Sequence, residues 1–547
     1  MNLKRVRQWV ALLALLSLIH SFNALTVCAS GNNNATAPLI QVTPPEPVFN
    51  DEARRTELAA RRAHVAEQIG PKSVLVLFST EARVYTGDVD YEYRQENNFY
   101  YLTNLNKEGA TLVLMPGHKA LHEILFLPRR RRGIEYGSET WTGRMYSPEE
   151  AQSLSGIAEI WDAREFAPFM RALKAQFAYQ PKPENVFLSA VFKHEAASSE
   201  QSANVNADYE TLFSAMRKND ASVYLLIPEE QDSRAYKQEQ TFAAQLAQSA
   251  SGFTVRNAWP IFAEMRVRKS PMELQLLQHA VDISIEAHES AQASAAHAQW
   301  EYEVAAEVDY TFRRRHADHW GYPLIVGSGV NATTLHYEEA QGPVKAGDLL
   351  LMDVGAEYGH YTADVTRTFP VNGHFSPAQA DIYNIVLAAQ EKAMSVVHPG
   401  ATFADVHNAA VEVLKDGLFK LGLITERNSS QYRLWFMHGT SHFLGMDVHD
   451  VGGRIPLEPN MCFTIEPGIY IRPDALDLLP DTPDNRKFII AVRPAFEKYK
   501  GSGVRIEDDI LVTPAGYRNM SGALPRTIPD IENFLARAAR ELHNEPR

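Results

Sequence analysis

"MDVGAEYGHYTADVTRTFP" occupies residues 352–370. It follows the apolar run Leu349–Leu351 and reads as a strand, a glycine-bearing turn and a second, threonine-rich strand. Gly355 and Gly359 supply the turn chemistry. A hairpin here sets Asp353 and Asp364 side by side on adjacent strands. In the second strand Thr362, Asp364, Thr366 and Thr368 share one face, because strand side chains alternate. Two desolvated carboxylates at that range repel, and one takes a proton unless a cation lies between them. A divalent ion removes the conflict. On this stretch alone, two unrelated strand-end acids explain the pattern equally well.

Three further segments carry candidate ligands. "MHGTSHFLGMDVHD", residues 437–450, places His438, His442 and His449 within one glycine-bearing stretch. It is not the helical HExxH zinc motif, because no glutamate follows His438. "FTIEPGIY", residues 463–470, puts Glu466 at the end of an apolar strand stopped by Pro467-Gly468. In "GVRIEDDILV", residues 503–512, Arg505, Glu507 and Asp509 share one strand face, while Ile506 and Ile510 take the other. Asp508 interrupts the apolar face, and Arg505 is placed to pair with a neighbouring acid. With Asp353 and Asp364, Glu466 and Glu507 make four carboxylates, and the histidine segment adds at least one imidazole. Such a set, poor in nitrogen and free of thiolate, suits Mn²⁺, Mg²⁺ or similarly hard ions. Four carboxylates exceed the needs of one ion. Two divalent metal ions with bridging carboxylates are therefore expected, about 3.5–4 Å apart and holding a hydroxide between them, which is hydrolytic equipment.

The remaining sequence sets the frame. The chain has 547 residues and a formal net charge of −14. That balance argues against a nucleic-acid partner, since phosphate contacts need a basic surface. Residues 1–29 read as a signal peptide: Lys4, Arg5 and Arg7 precede a short apolar run, and Val27-Cys28-Ala29 offers a cleavage site. Export to the periplasm or medium is expected, with a lipid anchor at Cys28 as the alternative. No later segment looks transmembrane. Cys462 reads as an inert buried thiol. Residues 30–51 read as a flexible tether. Residues 52–256 read as an N-terminal α/β domain with strands at Ser73–Phe78 and Ala110–Met115. Residues 257–547 read as a second domain holding all the candidate ligands. Three capping boxes, at Ser147, Ser270 and Ser376, predict helix starts, the second running to about Ala293 and the third to about Val397.

The order Asp353, Asp364, His442, Glu466, Glu507 resembles the five-ligand set of the M24 metallopeptidases. Within them, "VGSGVNATTLHY" (326–337), "TRTFPVNGHFS" (366–376), "WFMHGTSHFLGMDVHDVG" (435–452) and "GVRIEDDILVT" (503–513) resemble the aminopeptidase P family. "YEYRQENNFYYLT" (91–103) resembles that family's N-terminal domain. The resemblance implies an α/β chain, with an aminopeptidase-P-type N-terminal domain followed by a pita-bread (creatinase/aminopeptidase-like) catalytic domain. By position, Asp364 and Glu507 would bridge both ions. His442 and Glu466 would complete one ion's shell, and Asp353 would hold the other. His336 and His449 would bind substrate or handle protons, and His438 and Arg505 would support the ligands from behind. The implied activity releases an N-terminal residue from peptides with proline second, with Mn²⁺ as the expected ion and Co²⁺, Zn²⁺ or Mg²⁺ as alternatives. The bond to proline nitrogen is a tertiary amide without N–H, and attack by a metal-activated hydroxide does not need that hydrogen.

The alternatives are a prolidase acting on Xaa-Pro dipeptides and a pita-bread binding protein without catalysis. Methionine aminopeptidase is disfavoured by the large first domain and by His449-Asp450. A homo-oligomer, dimer or tetramer, is also implied, because Trp141 resembles a tryptophan placed at a neighbouring subunit's site. The stretch 478–497 is longer than the family pattern and is expected to lid the site or meet another subunit.

Overall fold

The computed structural model describes residues 38–135, 137–192, 206–227, 236–248 and 251–542. The expected signal peptide and Cys28 lie outside these residues. The first sheet has seven strands in the order Val186–Leu188, Ile160–Asp162, Glu123–Leu127, Thr111–Leu114, Ser73–Phe78, Ala221–Leu225, Phe253–Asn257. It mixes parallel and antiparallel pairs. Ser73–Phe78 is buried along its whole length, as a central strand covered on both faces must be.

The strands of the C-terminal half form several small sheets. Ile325–Ser328, Leu349–Val354 and Val365–Pro370 make one, and Cys462–Ile465, Asp508–Thr513 and Gly516–Asn519 another. A bridge between Thr366 and Glu507 joins them. The helices Pro271–Ser294 and Glu301–Arg314 pack on each other, as do Pro377–Met394 and Phe403–Leu421. Residues from Ile40 onward form one compact unit. Among the described residues no helix is long and apolar enough to cross a membrane.

All three predicted capping boxes are present, with the side chains of Ser147, Ser270 and Ser376 each accepting from the third helical N–H. The helix begun by Ser376 ends at Met394, not Val397. Cys462 is a free, fully buried thiol that burial pushes up to about 12.

Two expectations need correction. The second part of the expected tether is docked: Gln41 N donates to Glu289 Oε2 at 2.5 Å and Thr43 N to Glu286 Oε2 at 2.8 Å. Glu286 and Glu289 are buried acids on the long helix, and the segment supplies donors that they need. The stretch 478–497 mostly forms the helix Pro483–Tyr499, whose Val492, Phe496 and Tyr499 are buried. Tyr499 donates to Asp381 on the helix Pro377–Met394 at 2.8 Å. No residue of the helix lines the ligand cavity, so the expected lid is not seen there, while Ile490 on its outer side stays exposed.

Candidate metal centre

The hairpin between the two aspartates forms as expected, with Asp353 opposite Thr366 and Val354 opposite Val365. The two glycines act differently from each other. Gly359 is in the left-handed region at φ 58° within the turn. Gly355 instead permits a close crossing, since a Cβ there would lie 1.8 Å from the Ala363 carbonyl oxygen. Asp364 sits in the break between Tyr361–Thr362 and Val365–Pro370, and its N–H is held by Asp509 Oδ2 at 3.1 Å.

The "GVRIEDDILV" stretch is also broken. Gly503–Arg505 pairs with Gly468–Tyr470, and Asp508–Thr513 pairs with Cys462–Ile465. Ile506 and Glu507 span the gap, which drops Glu507 beside Thr366. Its main-chain N donates to Thr366 O at 3.1 Å, and Thr366 Oγ1 donates to Glu507 Oε2 at 2.6 Å. Asp508, which interrupts the apolar face, is paired at 2.7 Å with the fully buried Arg367.

His442 is held by a two-way exchange with Thr464, its N donating to Thr464 Oγ1 at 3.2 Å and its O accepting from Thr464 N at 3.0 Å. Nδ1 lies 3.2 Å from the Phe443 carbonyl, so an Nδ1 proton is held there and Nε2 is the nitrogen turned to the acids. That Nε2 is 3.3 Å from Asp364 Oδ2 and 3.5 Å from Glu466 Oε1. Asp364, His442 and Glu507 each offer one ligand atom, all within 4.8 Å of one another. Asp353 and Glu466 line the same cavity of about 370 Å³. The structure therefore brings together all five residues expected as metal ligands.

The expected supporting and substrate-facing residues are here too. Arg505 pairs with Asp353 and donates to Thr366 Oγ1 at 3.1 Å and Tyr470 Oη at 2.9 Å. His438 Nε2 lies 2.9 Å from the same Tyr470 hydroxyl, and its Nδ1 is 3.4 Å from Glu466. The His449 ring meets the His442 ring edge-on at 4.3 Å. His336 and His449 both line the cavity and are exposed to it.

One residue of the site escaped the sequence reading. The buried Tyr322 hydroxyl lies 2.6 Å from Asp353 Oδ1 and 2.7 Å from Asp364 Oδ1. An aromatic before Pro323 reads as core, and nothing local marks its hydroxyl as functional.

Electrostatics test whether this set fits divalent cations. Burial, together with the neighbouring acids Asp364, Glu466 and Asp353, holds the Glu507 carboxyl well above the usual range. Burial also raises Asp353 against the pull of Arg505. Burial raises Glu466 to about 7, although His442 and Arg505 oppose it. Burial would depress His442, yet hydrogen bonding and attraction to Asp364 and Glu466 lift it to about 9. Arg505 is the one arginine or lysine among the residues lining the cavity. The cluster is rich in acceptors and short of positive charge, and two hard cations would correct both. The donor set fits.

Comparison with known proteins agrees with this geometry. The sequence pattern described as "Aminopeptidase P, N-terminal domain" matches residues 58–179, and "Metallopeptidase family M24" matches residues 275–514. A Xaa-Pro aminopeptidase of Haemophilus influenzae is 33% identical over 494 residues, covering 88% of this chain and 97% of its own. The chain belongs to the aminopeptidase P group of metallopeptidase family M24. Another relative in the group, the Xaa-Pro aminopeptidase of Escherichia coli, is 32% identical over 502 residues, covering 90% of this chain and 100% of its own. Aminopeptidase P from E. coli, solved with the inhibitor Pro-Leu, superposes with a TM-score of 0.70 at 30% identity, covering 89% of this chain and 99% of its own. Proline aminopeptidase P II from Yersinia pestis gives a TM-score of 0.70 at 30% identity, with 88% and 99% covered. The pita-bread assignment for the C-terminal half and the family's dependence on divalent metal ions follow from this membership.

Proposed function

We propose that this chain is a Xaa-Pro aminopeptidase that removes the first residue from peptides with proline second. The observation that carries the reading is the convergence of Asp353, Asp364, His442, Glu466 and Glu507 on one cavity rimmed by His336 and His449. Two Mn²⁺ ions are the proposed occupants, and Asp353, Asp364, His442, Glu466 and Glu507 would hold them. When bound, the ions supply Lewis acidity, making water nucleophilic at neutral pH and polarising the scissile carbonyl.

The chain's own residues do the rest. Arg505 and Tyr322 orient the Asp353 carboxylate from two sides. The Phe443 carbonyl fixes the His442 tautomer. Burial and the neighbouring His442 depress His449, which favours the neutral imidazole that can take up a proton at the scissile amide. Pro323, Ile325, Leu335 and Val448 give the cavity an apolar wall suited to a proline ring. Hydrolysis of a Xaa-Pro dipeptide against a Xaa-Pro-Yaa tripeptide tests the substrate class. Release of Xaa from the tripeptide supports the reading, and activity confined to the dipeptide makes the chain a prolidase.

Export, with Cys28 removed or lipid-modified, is proposed from the N-terminal sequence, and a homo-oligomer from the resemblance at Trp141. Mass analysis of the N-terminus of the cell-derived protein and sedimentation test them: an unprocessed Met1 or a monomer would count against each in turn. We also propose a domain division near residue 257, where the first sheet's last strand ends. Limited proteolysis that never cuts near that point would count against it.

A further inference from the structure

Four hydrogen bonds from the loop that carries His336 converge on a single carboxylate. The loop leaves the strand Ile325–Ser328, makes a turn over Gly329–Thr333, passes His336 and returns at Gly342. Glu301 opens the helix Glu301–Arg314 and is fully buried. Its Oε1 accepts from Ser328 N at 2.6 Å and from Asn331 Nδ2 at 3.0 Å. Its Oε2 accepts from the Tyr337 hydroxyl at 2.8 Å and from Gly342 N at 2.6 Å. The four partners are uncharged and stand on both sides of His336 in sequence. Glu301 N in turn donates to Gly342 O at 3.0 Å.

A buried carboxylate is costly, and here four charge-assisted hydrogen bonds offset the cost. What they secure is the loop's course. Leu335 and Tyr337 pack toward Ile325, Ala332, Leu351 and Tyr470. His336, between them, lies exposed in the cavity of the metal centre. Main-chain N–H groups held at 328 and 342, side chains held at 331 and 337, and packed neighbours on both sides fix the course of the backbone that carries His336.

We propose that Glu301 is a positioning residue, which sets the His336 imidazole against the substrate without touching it. The inference rests on the reading of His336 as a substrate-facing group. Glutamine cannot substitute fully, because all four partners donate and the amide NH₂ would face a main-chain N–H.

A double-mutant cycle on the Mn²⁺-loaded enzyme tests it, with Xaa-Pro-Yaa hydrolysis as readout. Glu301→Gln is expected to lower kcat/KM by about tenfold or more with His336 present, and by less than about twofold in the His336→Ala background. Bound metal should be unchanged. Equal losses in both backgrounds, no loss in either, or lost metal would overturn the positioning role. If His336→Ala alone keeps full activity, the reading of His336 fails, and the inference with it. Should Glu301→Gln not fold, Tyr337→Phe, which removes one donor from a half-buried site, is carried through the same cycle under the same criteria.

Discussion

Thr366 and Glu507 grip each other twice, main chain to main chain at 3.1 Å and hydroxyl to carboxylate at 2.6 Å. This is a backbone bridge by which two of the small sheets meet beside the ligand cluster. It fixes a carboxylate proposed to hold the ions. Thr366→Val keeps the shape and removes the hydroxyl. Metal affinity is expected to fall about 10–100-fold, as for other lost partners of ligating groups. Titration of the chelated protein with Mn²⁺ checks this, and wild-type affinity would contradict it.

Arg367 and Asp508 are both fully buried and paired at 2.7 Å. Arg367 also donates to the carbonyls of Glu507 and Leu524, so it pins the strand break beside the site. Asp508→Asn leaves the guanidinium charge unmatched and is expected to cost about 3–5 kcal/mol in urea unfolding. A change below about 1 kcal/mol would mean that the pair behaves like a surface ion pair.

Much of the centre was legible from local chemistry. Capping boxes act within four residues, so all three could be read directly. The aspartate hairpin was legible because its turn glycine and its alternation are also local. What could not be read depends on partners far along the chain. Asp508 looked like an error in an apolar face until Arg367, 141 residues away, supplied its partner. Tyr322 and Glu301 carry no sequence signal, since a tyrosine before proline and an acid in a helix's first turn are ordinary. The tether was misread for the same reason, as its docking depends on Glu286 and Glu289 more than 240 residues later.

Glu239 is buried near Glu96 and Glu81, and burial raises its carboxyl to about 7. A carboxyl raised on folding supports stability below its unfolded pKa and loses that support as pH climbs through the folded value. The window runs from about 4.5 to about 7. Glu239→Gln should therefore raise the melting temperature at pH 8 by several degrees and change it little at pH 4. Equal shifts at both pH values would contradict the assignment.

Arg94, from the N-terminal half, holds both Glu357 oxygens and donates to Met446 O at 2.8 Å, three residues before His449. Arg94→Met removes this tie and leaves Asn97 Nδ2, at 3.3 Å, as the side-chain donor to Met446 O. Turnover is expected to fall about 10–100-fold through misplacement of His449, with bound metal retained. Unchanged steady-state kinetics would show that the loop keeps its place without this tie.

The central claim is that five scattered side chains build one centre for divalent cations that does the chemistry. The most direct measurement is Xaa-Pro-Yaa hydrolysis by chelated protein, before and after Mn²⁺ is returned, beside Asp364→Ala. The account predicts no turnover after chelation, recovery with Mn²⁺, and a loss on the order of a thousandfold or more in the variant even with Mn²⁺. Full turnover by the chelated protein, or by Asp364→Ala, would contradict it.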